Sequence, residues 1–130
     1  MSKETAPRIL AVEDNPDTQL LLRYLLRSEY SLEVVPHIDD ALRAAREGGF
    51  DLFVLDINLG EERSGLDLLK ELRRMPAYED TPALALTAYA MPGDKERFLN
   101  AGFETYIAKP FTRKELHTAL ESMLESLNRR

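Results

Sequence analysis

The sequence predicts an α/β fold: a three-layer α/β/α sandwich built on a doubly wound, five-stranded parallel sheet of order 2-1-3-4-5. Three observations carry this expectation. Short apolar runs alternate with amphipathic segments five times, the pattern that places helices on both faces of a parallel sheet. The runs are apolar at successive positions, as in Leu52-Phe53-Val54-Leu55, which marks strands covered on both faces. A length of 130 residues suits one domain that can bury a core without staples. Crossovers in such sheets are right-handed, and the order 2-1-3-4-5 is the one known for small domains of this pattern.

Each element has its own local reason. Ile9-Leu10-Ala11-Val12 reads as the first strand. Asn15-Pro16 starts a helix, with Asn as cap and Pro at the first helical position, and Leu21, Leu22, Leu25 and Leu26 recur at helical spacing over 17–27. Leu32–Val35 is the second strand, closed by Pro36. A small helix over 39–47 turns Ala41, Leu42 and Ala45 inward, and Gly48-Gly49 stops it by admitting the left-handed conformation. Leu52–Leu55 is the third strand, and a helix over 65–74 carries Leu68, Leu69 and Leu72 inward. Ala83–Leu86 is the fourth strand, followed by a helix from Pro92 to Ala101 that Gly102 ends. Thr105–Ala108 is the fifth strand. The last helix, over 113–127, has an apolar stripe of Leu116, Leu120, Met123, Leu124 and Leu127.

Composition narrows the function. Apolar residues make up 44% and charged residues 31%, a globular balance. The net charge of −6 argues against a nucleic-acid surface, which needs a basic patch. The absence of cysteine excludes disulfides, thiolate metal sites and a Cys nucleophile. No signal peptide or bilayer-length apolar run is present, so a soluble, cytoplasmic protein without membrane contact is expected. The expected organisation is one domain over 1–130, with a polar tail over 1–7 and no output domain. His37 and His117 have no metal-binding or catalytic neighbour at recognisable spacing and are expected at the surface.

In a parallel sheet the carboxyl ends of all strands share one edge, and ligands bind in the crevice there. The residues that follow the apolar runs are Glu13-Asp14, Asp56, Thr87 and Lys109-Pro110. Taken singly, each has an ordinary reading: Asp14 as a helix-dipole partner, Asp56 as a turn residue, Thr87 as a good strand former, Lys109 as a surface lysine. Taken together, three carboxylates, a hydroxyl and an ammonium meet at one edge. Converging carboxylates repel, and a divalent cation relieves the repulsion; hard oxygens suit Mg²⁺. A carboxylate can serve as nucleophile toward phosphorus. The cation, Lys109 and the Thr87 hydroxyl would then each meet one phosphoryl oxygen.

At these residues the sequence resembles the receiver domains of bacterial two-component response regulators. The resemblance rests on Glu13-Asp14-Asn15, Leu55-Asp56, Leu86-Thr87-Ala88 and Ala108-Lys109-Pro110-Phe111, with Gly102-Phe103 before the fifth strand, and runs from about Arg8 into the last helix. It implies a phosphorylation-dependent signalling switch rather than an enzyme acting on other substrates. Asp56 would accept phosphate from a histidine kinase or histidine phosphotransfer protein. Asp14, Asp56 and the backbone carbonyl of Asn58 would hold Mg²⁺ or Mn²⁺ directly, and Glu13 would act through a metal-bound water. Lys109 would pair with the phosphoryl group, and its bond to Pro110 would be cis. Thr87 would be the switch hydroxyl and Tyr106 the switch aromatic, altering the binding of a downstream protein; the chain itself would be a monomer or weak homodimer. Asn58 and Tyr89 match positions that modulate hydrolysis of the aspartyl phosphate, and Tyr89 is expected to shield it from water.

One stretch departs from the family pattern. In Ile57-Asn58-Leu59-Gly60-Glu61-Glu62-Arg63-Ser64-Gly65, Gly60 stands where a proline is usual, and the loop is acidic and one residue longer. Two other functions share the architecture. A flavodoxin-like electron carrier needs a hydroxyl- and glycine-rich phosphate loop after the first strand, where Glu13-Asp14-Asn15-Pro16 presents negative charge instead. A phosphatase of similar topology needs two aspartates two residues apart there, a spacing that Asn15-Pro16 interrupts.

Overall fold

Alternation along the strands divides the core in two. In the computed structural model, which describes residues 6–88 and 91–128, Leu10, Val12, Phe53, Leu55, Ala83 and Ala85 face one side of the sheet. Ile9, Ala11, Leu52, Val54, Leu84 and Leu86 face the other. Successive side chains of a strand point to opposite faces, so a strand apolar throughout feeds two cores at once. The strands are β1 (Arg8–Val12), β2 (Ser31–Val35), β3 (Leu52–Asp56), β4 (Ala83–Thr87) and β5 (Thr105–Ala108). They pair in parallel in the order β2-β1-β3-β4-β5. Helices α1 (Pro16–Leu26) and α5 (Arg113–Asn128) cover one face; α2 (Ile38–Glu47), α3 (Gly65–Arg73) and α4 (Asp94–Asn100) cover the other. No helix among the described residues is long and apolar enough to cross a membrane.

The register fixes the carboxyl edge. Val12 pairs with Leu55, Asp56 with Leu86, and Thr87 with Ala108. The residues that leave β1, β3, β4 and β5 therefore emerge side by side.

The structure corrects several local expectations. On α1, Leu22, Leu25 and Leu26 are buried, but Leu21 is 39% exposed. Helix α4 begins at Asp94 rather than at Pro92. Gly93 takes a φ of 89°, outside the helical region, and Gly102, at 107°, closes the other end. Gly48 ends α2 with a φ of −124°, extended rather than left-handed. Its contribution is space: an added Cβ would come within 2.9 Å of Arg8 Nη1, whose guanidinium lies 4.6 Å from the Phe50 ring centre. On α5, Leu116, Leu120 and Met123 are buried, while Leu124 is half-buried.

His117 is not a surface residue; its side chain is 16% exposed. Nε2 lies 3.1 Å from the Leu25 carbonyl oxygen and Nδ1 lies 3.4 Å from Glu29, so the ring joins α5 to the end of α1. A single 3₁₀ turn, Pro76–Tyr78, also escaped the sequence reading. Its Tyr78 hydroxyl donates to the carbonyls of Ala45 and Gly48 at the end of α2, and its ring meets Phe53 edge-on at 5.2 Å.

Gly65, the first residue of α3, lies against the backbone of Asp56; an added Cβ would overlap the Asp56 carbonyl oxygen. Gly65→Ala is expected to lose about 1–3 kcal/mol in urea denaturation, because backbone cannot step aside as a side chain can. Gly49→Ala, where nothing lies within 4 Å of the new methyl, is expected to stay within about 0.5 kcal/mol of the parent. Equal stability of the two variants would contradict the close approach.

Candidate functional site

Each member of the edge cluster is held by its own segment. Glu13 leaves β1, and its backbone N–H donates to the Val35 carbonyl at 3.0 Å. Asn15 then caps α1, its Oδ1 accepting from the amides of Asp17 and Thr18. The amide of Asn15 donates to Glu13 Oε2 at 3.1 Å, and Gln19 Nε2 donates to the Glu13 carbonyl at 2.6 Å. The helix start thus fixes both ends of Glu13. Asp56 is the last residue of β3; its Oδ1 accepts from the Asn58 amide at 2.9 Å. The amide of Ile57 continues the ladder by donating to Leu86 at 2.9 Å. Lys109 follows β5, its amide donating to the Thr87 carbonyl at 2.8 Å, and the Lys109–Pro110 bond is cis.

Glu13 is fully buried, Asp56 is 2% exposed, and Asp14 is open to solvent. One carboxylate oxygen from each of the three lies within 4.8 Å of the other two. Lys109 Nζ donates to Asp56 Oδ2 at 2.7 Å. It also lies 2.5 Å from Glu13 Oε1, as an ion pair rather than a directed hydrogen bond. Three acids facing one ammonium leave an excess of negative charge in a recess with one exposed ligand. That donor set, hard oxygens with one side open to water, fits a Mg²⁺-type cation.

The electrostatics follow from this crowding. Burial is the main reason that the Glu13 carboxyl is pushed up to about 7; the neighbouring Asp56 carboxylate adds to the rise, and Lys109 and the Asn15 amide oppose it. For Lys109, burial works against the charged form, but the hydrogen bond to Asp56 and the negative charges of Asp56 and Glu13 outweigh it and raise the ammonium above its ordinary value. The chemistry available is that of a nucleophilic carboxylate held beside a fixed cation.

The other predicted residues lie around this centre. Thr87 ends β4, 2% exposed, directly beside the start of the Lys109 segment. Tyr106 does not join the cluster. It pairs in register with Ala85, two residues before Thr87, and its half-buried ring packs edge-on against Phe98 of α4 at 5.5 Å. Asn58 borders Asp56 through its amide. Tyr89 lies outside the described residues. Asn15, legible as a helix cap and as part of the Glu13-Asp14-Asn15 motif, and Gln19, which no sequence pattern marks, both hold Glu13. The capping motif is visible, but nothing local in it points back to Glu13, two residues before the cap.

Lys109→Met removes the counter-charge from two buried acids. It is expected to destabilise the metal-free protein by about 3 kcal/mol at about pH 8, the low end for breaking a buried pair because the ammonium is itself partly exposed. Without the ammonium Glu13, already raised by burial, holds its proton to still higher pH than it does unfolded. The folded form then binds more protons, so the penalty grows as pH rises and shrinks toward about pH 5. Urea titrations at the two pH values check this; a penalty independent of pH would contradict it.

Comparison with known proteins agrees with the geometry. The family model described as the response regulator receiver domain matches residues 9–121. The signal transduction histidine-protein kinase BarA of Escherichia coli K12 is 33% identical over 121 residues, which is 88% of this chain but only 12% of that kinase. The polar-differentiation response regulator DivK of Brucella anthropi is 37% identical over 117 residues, 89% of this chain and 94% of its own length. The solved receiver domain of the sensor histidine kinase PA1611 from Pseudomonas aeruginosa, with a magnesium ion coordinated in its active-site cleft, is 35% identical with a TM-score of 0.83, covering 93% of this chain and 99% of that one. With its fold, its acidic edge and its relatives in agreement, the chain belongs to the response-regulator receiver domains, the phosphoacceptor signalling modules of two-component systems.

Proposed function

We propose that Asp56 is the phosphoacceptor, taking a phosphoryl group from a histidine kinase or histidine phosphotransfer protein. The observation that carries this is the placement of Asp56: it is buried, joined to Lys109 at 2.7 Å, and clustered with two further acids. An Asp56 carboxylate oxygen attacks the phosphorus of the donor's phosphoimidazole. The O–P bond forms, the P–N bond breaks, and the imidazole leaves with the electron pair and takes a proton from solvent. Lys109 meets one phosphoryl oxygen, and the Thr87 hydroxyl meets another.

Asp14, Asp56 and the Asn58 carbonyl hold Mg²⁺ directly in this reading, with Glu13 acting through a water. When bound, the cation neutralises the converging carboxylates and one oxygen of the incoming group. PA1611's receiver, which holds magnesium in its cleft, supports the assignment. Phosphorylation then biases Thr87 and Tyr106 toward a second arrangement that changes the binding of a downstream protein. Their register supports this: Tyr106 lies across from Ala85, so it shares a sheet face with Thr87 and reaches α4 through Phe98. The reading includes one receiver domain over the chain, working in the cytoplasm as a monomer or weak homodimer.

Acetyl phosphate with Mg²⁺ is expected to add one phosphate to the wild type in intact-mass measurement and none to Asp56→Asn. Undiminished labelling of Asp56→Asn would defeat the assignment.

Glu13 adds a pH dependence. Its carboxyl, raised to about 7, is protonated below that value, whereas cation binding favours the carboxylate. Binding therefore expels a proton, and Mg²⁺ affinity is expected to rise with pH and level off above about 7. Calorimetry at about pH 6 in buffers of different ionisation enthalpy is expected to show release approaching one proton. Proton-neutral binding would contradict this role.

A further inference from the structure

The loop between β3 and α3 is tied to a helix that takes no part in the acidic cluster. Ile57 and Leu59 are buried in the core that also holds Ile38 of α2. Gly60 then turns at a φ of 67° and passes so close to Asp14 that an added Cβ would lie 3.3 Å from Asp14 Oδ2. Beyond it, Glu61 Oε2 accepts the backbone N–H of Ile38, the first residue of α2, at 3.1 Å. Arg63 donates to Asp39 at 2.7 Å and to Glu71 at 3.1 Å.

Helix starts leave N–H groups without intrahelical partners, and a nearby side chain usually caps them. In α2 the residue at the cap position is His37, which makes no capping hydrogen bond. Glu61, 23 positions away in sequence, does so instead. The Arg63–Asp39 pair is largely exposed and therefore screened. Glu61 is 28% exposed and holds a backbone donor that would otherwise lack a protein partner, so it is the stronger tie.

We propose that Glu61 is a positioning residue for the cation: by capping α2 it seats Gly60 against Asp14 and fixes the loop that carries Asn58. This rests on the Mg²⁺ reading above. Coupling between a cap and a binding site is reciprocal. Cation binding should stabilise the first turn of α2 to the same extent that the cap strengthens cation binding.

The test uses Glu61→Ala and Glu61→Gln in the full chain, with Mg²⁺ as the titrant. Both variants lose the charge, but only Ala loses the acceptor. Glu61→Ala is expected to weaken Mg²⁺ binding roughly five-fold, the equivalent of one helix cap, with Glu61→Gln within about two-fold of wild type. Hydrogen exchange at the Ile38 amide should quicken in Ala but not in Gln, and Mg²⁺ should slow it in wild type but not in Ala. Equal weakening in both variants would assign the effect to charge alone and overturn the proposal. So would faster Ile38 exchange with unchanged Mg²⁺ affinity, while leaving the cation reading intact. Failure of the wild type to bind Mg²⁺ would overturn the cation reading, and this proposal with it.

Discussion

The Lys109 ammonium, 2.7 Å from Asp56 and 2.5 Å from Glu13, is the contact around which the carboxyl edge is organised. Two acids sit there almost without solvent, a placement that is strongly unfavourable unless countered. The ammonium counters part of it, and the amides of Asn15 and Asn58 counter more. The rest is expressed as the raised titration of Glu13. Such an arrangement is a poor way to gain stability. It is a good way to keep a carboxylate ready beside a fixed positive charge, and the sheet is what brings the parts together.

That geometry explains why so much of the site was legible. Glu13, Asp14, Asp56, Thr87 and Lys109 each follow an apolar run, and a parallel sheet sends the ends of all its strands to one edge. Once strand order is known, convergence needs no further information. The five strands were legible for the same reason, since residues buried on both faces stay apolar without interruption.

What was not legible depends on choices that periodicity leaves open. Leu20, Leu21 and Leu22 are contiguous, so spacing alone does not say that Leu22 turns inward while Leu20 and Leu21 stay exposed. Pro92 is a natural first helical residue, and only the positive φ at Gly93 moves the start of α4 to Asp94. His117 follows the buried Leu116, and its seat against Leu25 and Glu29 is a tertiary contact between distant segments. The bond from Ile38 to Glu61 is of the same kind. These contacts join side chains to partners elsewhere in the chain, and no local pattern marks them.

In the proposed function Asp56, rather than either neighbouring acid or a histidine, receives the phosphoryl group. Borohydride reduction of the phosphorylated protein converts an aspartyl phosphate to homoserine, and peptide sequencing locates it. Homoserine is expected at position 56 alone. Homoserine at position 14, or a phosphate that resists reduction and maps to His37 or His117, would contradict it.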